Sequence, residues 1–356
     1  MKFYTKSHQF YCGVDLHAAT MYVCILDAGG SVVCHRNIPT KPEAFLRLIK
    51  PYRDDLVVGV ECMFTWYWLA DLCAEEGIDF VLGHALYMRA IHGGKAKNDR
   101  IDSHKLAVLL RGGSFPVAYV YPKAMRATRD LLRRRNHLAR KRAELVAHIQ
   151  NTATQYNLPE PLGRVARPSE RVDLLEKFPD PVVRRMVEID LLTIDHYDHL
   201  LGSLERQLEK TAVHHDAIGL ALLKSIPGVG RILGLVMLYE IGDIARFPRE
   251  QDFASYCRLV KPAKESAGKH YGHSGKKIGN AHLRWAFGEA VVLMLKGNAA
   301  AQRQLQKLAS KHGKGKALAI LAHRLGRAVY YMLKNQTPFD AQRFLRQQGA
   351  LRQQGA

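Results

Sequence analysis

The chain has 356 residues, 47% of them hydrophobic, and 53 Lys and Arg against 33 Asp and Glu give it a formal net charge of +20. That length suggests two or three domains with real cores, and that charge calls for a polyanionic partner, most simply nucleic acid. No apolar run approaches the roughly 20 residues that a bilayer span needs, and Met1 to Gln9 does not read as a signal peptide, so a membrane role is set aside and a cytoplasmic location is expected.

The first apolar run, Phe10 to Asp15, ends in an acid. Met21 to Asp27 and Ser31 to Ile38 follow as β-rich runs separated by Gly29-Gly30, a hairpin signal. Leu56 to Glu61 is a buried-type strand that also ends in an acid, and a helix-like segment, Thr65 to Glu76, leads to a further core strand, Gly77 to Leu82. Asp15 and Glu61 therefore both stand at C-terminal strand ends, the edge where ligands gather in open α/β sheets. Six cysteines show no CxxC pairing, and the expectation is reduced thiols, mostly in or beside strands.

Lys97-Asn98-Asp99-Arg100-Ile101-Asp102 reads as the start of a helix. Asp99 and Asp102, three apart, share one helical face. Carboxylates that close repel unless a cation lies between them, and Mg²⁺ takes oxygen ligands of this kind. The alternative is a solvated helix start whose acids favour the dipole. Lys97, Arg100 and Lys105 flank the pair, which suits a site that handles phosphate. Asp15, Glu61, Asp99 and Asp102 on a β-hairpin followed by alternating α/β form the arrangement of RNase H-like nucleases, which hold metal between carboxylates.

Pro116 and Pro122 close this first domain. From Lys123 to Arg142 there are nine Lys and Arg and one acid, Asp130, with Leu131, Leu138 and Leu145 recurring at sevens. This predicts a long basic helix with an apolar seam. Arg126, Arg129, Arg133, Arg134, Arg135, Arg140, Lys141 and Arg142 are its candidate nucleic-acid contacts, against the alternative of a solvated face. After Pro159, Pro161 and Pro168, a second helix runs from about Pro181 to Thr211. Tyr197, Leu201, Leu204 and Leu208 follow the coiled-coil rhythm, so an antiparallel hairpin, or a stalk that pairs with another subunit, is expected.

Ser225 to Gly230 precedes an apolar helix, Ile232 to Glu240. Gly228 and Gly230 fit either a helix-hairpin-helix grip on phosphate or a tight turn between core helices. Arg258 to Lys269 and Ser274 to Asn280 make a Gly- and Lys-rich loop between helical segments, with Lys269, Lys276 and Lys277 as candidate phosphate contacts. A serine there can donate a hydrogen bond to phosphate or, once activated, attack it. His270 and His273 have zinc-like spacing without a second ligand pair nearby. The tail repeats Leu-Arg-Gln-Gln-Gly-Ala at 345–350 and 351–356.

In this order and spacing these pieces resemble the DEDD-type insertion-sequence transposases, a family that includes bridge-RNA-guided recombinases and is related to pilin-gene DNA invertases. The resemblance runs from Tyr11 to about Asp340. It rests on Gly13-Val14-Asp15-Leu16-His17, the Glu61 strand with Trp66 and Leu69, Lys97 to Asp102, Ile226-Pro227-Gly228-Val229-Gly230, Glu240 to Ile244 with Phe247, and Leu259-Val260 leading to Ser266-Ala267-Gly268-Lys269.

The resemblance implies α/β plus α architecture. Residues 1–120 would form a RuvC/RNase H-like domain, 121–215 a basic coiled-coil or helical hairpin, 216–340 a mostly helical transposase domain, and 341–356 a tail. It implies Mg²⁺, with Mn²⁺ as substitute, on Asp15, Glu61, Asp99 and Asp102. The family's serine loop is commonly Ser-Ser-Gly-Gly-Lys with the second serine as nucleophile. That position is Ser266 here, with departures at Glu265 and Ala267 and with Ser274 as fallback. The implied activity is cutting and rejoining donor and target double-stranded DNA through a covalent phosphoserine, guided by a structured noncoding RNA, in a homodimer that assembles to a tetramer. The competing readings are a RuvC-like nuclease or junction resolvase without serine chemistry, and a protein-guided DNA invertase.

Overall fold

A computed structural model describes residues 2–91, 98–158, 165, 171, 173–261, 263–273 and 278–346. The chain divides into two compact units, Met1–Lys123 and Ala124–Ala356.

The first unit is built on a five-stranded sheet. After a short strand β1 (Phe3–Tyr4), β2 (Phe10–Leu16), β3 (Thr20–Asp27) and β4 (Val32–Pro39) form an antiparallel meander. Helix α1 (Pro42–Ile49) then leads to β5 (Leu56–Glu61), and α2 (Tyr67–Glu75) leads to β6 (Asp79–Gly83). β5 pairs parallel with β2 and with β6, giving the order β4-β3-β2-β5-β6. Helices α3 (Ala85–Ile91) and α4 (Asp99–Arg111) and a short strand β7 (Phe115–Pro116), paired with β1, complete the unit. The expected meander and alternating α/β order are present. α2 begins two residues later than the sequence suggests, and the Thr65 hydroxyl instead ties the preceding loop to the Leu16 carbonyl.

Two layers cover the sheet. Cys12, Val14, Leu16, Val58 and Val60 pack with Phe45 and Ile49 of α1 and Leu69 and Cys73 of α2. On the opposite face, Tyr11, Val57 and Val81 pack with Leu106, Leu109 and Leu110 of α4. The cysteines are all free thiols, four of them buried. Burial pushes the Cys73 thiol up to about 12, which makes it inert at neutral pH.

The second unit is helical apart from one hairpin. α5 (Lys123–Gln155) and α6 (Pro181–Lys224) are long. Arg135 pairs with Glu205, Arg142 with Asp198 and His148 with Asp190. As the number rises along α5 it falls along α6, so the two helices lie antiparallel. Around and beyond the last rung, Ile149 and Ala153 pack with Val183, Val187 and Ile194. These contacts pair α5 with α6 inside the second unit. Asp216 interrupts α6: its backbone leaves the helical region (φ −162°, ψ 83°), and its carboxylate accepts the Gly219 N–H at 2.7 Å, capping the final turns.

α7 (Arg231–Ile241) is buried from Leu233 to Ile241, as a helix apolar on every side must be. Around it lie α8 (Glu250–Tyr256), α9 (Ala281–Met294), α10 (Ala299–His312), α11 (Lys314–Asn335) and α12 (Ala341–Arg346), with Tyr239, Phe253, Phe287 and Tyr330 as the largest buried side chains. The segment expected as a loop contains two strands instead, β8 (Ala263–Ser266) and β9 (Lys269–His273), paired antiparallel. Among the described residues no helix is long and apolar enough to cross a membrane.

Candidate active site

Successive side chains alternate across a strand. Cys12, Val14 and Leu16 go to the α1–α2 face, so Asp15, which shares the parity of Tyr11, lies on the α4 side. Glu61 shares the parity of Val57 and lies on that side too. β2 and β5 are in register with Val14 opposite Val60, so Asp15 and Glu61 follow the last paired residues on adjacent strands.

The other two acids arrive on α4. The Asn98 side chain accepts the Ile101 N–H at 2.8 Å and starts the helix there, leaving Asp99 and Asp102 in its first turn. What seats the helix is Gly13. A Cβ on Gly13 would collide with the Ser103 carbonyl oxygen and the Ala107 nitrogen, so α4 rests directly on the β2 backbone. Gly59 on β5 leaves the same kind of space for Leu110.

Asp15, Asp99 and His17 thereby offer ligand atoms that all lie within 4.8 Å of one another. His17 Nε2 is 3.4 Å from Asp15 Oδ2 and 3.6 Å from Asp99 Oδ1. Burial raises the Asp15 carboxyl above its ordinary value; His17 opposes that shift, and the charges of Asp99 and Asp102 add to it. Asp102 is also approached by Lys105 at 3.5 Å. Negative charge gathered on a half-buried carboxylate is relieved by a cation, and a donor set of carboxylate oxygens with one imidazole nitrogen suits a divalent metal. His17 stands in the Gly13-Val14-Asp15-Leu16-His17 motif, but the sequence reading gave it no ligand role. Its signal was the i, i+2 spacing from Asp15, which keeps an extended chain on one face.

The serine candidate sits in the second unit. Ser266 is opposite Lys269 across a two-residue turn in which Ala267 (φ +50°) and Gly268 (φ +71°) are both left-handed. That is a tight hairpin tip of the primed kind, and Ser266 and Lys269 are exposed on it. Ser274, Lys276 and Lys277 lie outside the described residues.

Several of the candidate cations of the basic helix are engaged with their own chain. Glu240, only 1% exposed, accepts Arg129 at 2.9 Å, Arg133 at 2.7 Å and the Asn280 amide at 2.7 Å. Burial pushes the Glu240 carboxyl up, but the Arg133 hydrogen bond, the two guanidinium charges and Asn280 outweigh it and hold the group at about 2. Arg126 is buried, and Arg135 and Arg142 are half-buried in the hairpin rungs. Buried carboxylates need such partners, so these arginines serve the fold. Arg134, Arg140 and Lys141 face solvent, and among the described residues no carboxylate pairs with Arg134 or Arg140, whereas Lys141 meets Glu144 at 2.7 Å.

Gly228 belongs to a tight turn between core helices. Its φ is +86°, and a Cβ there would meet the Met294 nitrogen at 2.5 Å. Gly230 precedes α7 with open space around it.

Two family models match the chain. A DEDD-type IS110 family model described as a transposase matches residues 12–158, which contain all four acids. A second, described as transposase IS116/IS110/IS902 family, matches residues 220–306, which contain Ser266. The chain is 22% identical over 339 residues to the transposase for insertion sequence element IS1111A of Coxiella burnetii, covering 92% of this chain and 90% of that one. It is 24% identical over 287 residues to a protein of Sinorhizobium fredii named as a transposase, y4qE, covering 77% and 69%. DEDD transposase domains bind divalent metal ions, and transposases act on DNA. The chain therefore belongs to the IS110/IS116 family of DEDD transposases, enzymes that cut and transfer DNA strands.

Proposed function

We propose that this transposase cuts and rejoins donor and target DNA through a covalent phosphoserine at Ser266, assisted by Mg²⁺ held at Asp15, Glu61, Asp99 and Asp102, with His17 as an added ligand. Mn²⁺ would substitute. The observation that carries the metal assignment is the convergence of Asp15, Asp99 and His17 at the sheet edge where Glu61 also ends. When bound, the ion supplies positive charge at the scissile phosphate. Ser266 Oγ attacks phosphorus, the P–O3′ bond breaks, and the serine proton ends on the departing 3′ oxygen. The phosphoserine conserves the bond for religation. The exposed hairpin tip supports this role for Ser266, because a nucleophile for DNA must be reachable by a backbone.

A structured noncoding RNA pairs with donor and target in this reading, and the solvent-facing cations Arg134, Arg140 and Lys141, with Lys269, are its backbone contacts or those of the DNA. Assembly as a homodimer and then a tetramer is supported by an apolar stripe at helical spacing on α6, where Val182, Met186 and Ile189 are exposed.

The test uses labelled DNA carrying the element's ends. A protein–DNA adduct on a denaturing gel should form with Mg²⁺ and vanish in Ser266→Ala and in Asp15→Asn. Cleavage that survives Ser266→Ala but not Asp15→Asn would instead establish the metal-dependent nuclease reading. RNA retained through a high-salt purification, then sequenced, separates guided recombination (one defined species) from direct DNA recognition as in the invertases (a mixture or none).

A further inference from the structure

Phe64 is 85% exposed, more than any other large hydrophobic side chain among the described residues, and Met63 beside it is 52% exposed. An exposed apolar pair is ordinary on a frayed loop. This loop is fastened at both ends. The Cys62 N–H donates to the Gly83 carbonyl at 2.8 Å, and the Met63 N–H donates to the Glu61 carbonyl at 2.8 Å. Beyond the pair, the Thr65 hydroxyl donates to the Leu16 carbonyl at 3.1 Å, and Trp66 is buried, edge-on to Tyr67. The backbone is held on either side of Phe64 while its ring is left in water.

The fastening points also give the location. The loop starts at Glu61, and Thr65 ties it to Leu16, the residue between Asp15 and His17. Phe64 therefore projects from the segment that bridges the two acid-bearing strand ends. Carboxylates border it, and a protein partner would look for a wider apolar patch than two side chains. A nucleobase needs one aromatic face, and stacking on it tolerates any sequence. Apolar side chains that enter a base step unstack it and bend the duplex locally.

We propose that Phe64, backed by Met63, is a wedge that stacks on a base next to the phosphate being cut, so that the acidic edge works on locally unstacked DNA. This rests on the reading of that edge as the cutting site.

The test places 2-aminopurine, one position at a time, around the cut in element-end DNA. Cleavage is blocked with Asp102→Asn. Binding should raise emission several-fold at one position, and Phe64→Ala in the same background should abolish the rise. In cleavage-competent protein, Phe64→Ala should be slower by about tenfold on paired DNA and return to within about threefold of wild type when that position is mismatched, while Phe64→Trp stays near wild type. An emission rise that persists in Phe64→Ala, a wild-type rate on paired DNA, or a defect that the mismatch does not rescue would each overturn the wedge. Normal cutting by Asp15→Asn would overturn the metal assignment alone, since the emission change is read without cleavage.

Discussion

Gly13 and Ser103 meet backbone to backbone: there is no space for a Cβ between β2 and the first turns of α4. That contact sets how close Asp99 and Asp102 come to Asp15. Replacing Gly13 with Ala should cost about 1–3 kcal/mol through overpacking, and it should lower divalent-metal affinity beyond that loss. Urea unfolding and metal titration of the full chain check this. Wild-type stability with wild-type affinity would show that the close approach does not position the acids.

The arginines of α5 should divide into two classes. Arg134→Ala and Arg140→Ala should weaken nucleic-acid binding, each lowering the salt slope by about one, with little change in thermal stability. Arg142→Ala should do the reverse, because it leaves Asp198 without its rung. Binding isotherms across a salt series, beside melting curves, separate them. Identical behaviour of Arg134→Ala and Arg142→Ala would return the helix to a uniform basic face.

Glu240 joins α5, α7 and α9 through Arg129, Arg133 and Asn280. Glu240→Gln removes the charge that two arginines require and should cost about 3–5 kcal/mol. Its folded value of about 2 lies below the ordinary 4.5. The contribution is therefore complete above pH 4.5 and is lost as pH falls toward 2. Melting temperatures of wild type should fall through that window, and the Gln variant should show a shallower fall. Parallel pH profiles would place the charge elsewhere.

The sheet and the acidic edge were legible because alternation, the Gly-Gly hairpin and acids at strand ends are local signals. Asp15 and Glu61 were read from their places at predicted strand ends, and Asp99 and Asp102 from their i, i+3 spacing at a helix start. The role of the α5 arginines was not legible. Their partners Glu205, Asp198 and Glu240 lie 56 to 111 residues away, and sequence spacing says nothing about ion pairs at that separation. Gly228 was ambiguous for the same reason, since the backbone it touches belongs to α9. The β8–β9 hairpin was hidden by glycines and lysines that read as loop, and its turn carries an alanine where asparagine, aspartate or glycine is usual.

Ala267 holds a left-handed conformation that costs an L side chain roughly 1–2 kcal/mol. Ala267→Gly should relieve part of this and slow amide exchange across the Ser266–Lys269 pair. Faster exchange would mean that the turn depends on the alanine methyl.

The most direct measurement is Mn²⁺ binding to the full chain followed by electron paramagnetic resonance, comparing wild type with Asp15→Asn and Asp102→Asn. Wild type should take up the ion, and each variant should bind it at least about tenfold more weakly, as loss of a carboxylate ligand demands. Equal uptake by all three proteins would contradict the acidic edge as the metal site.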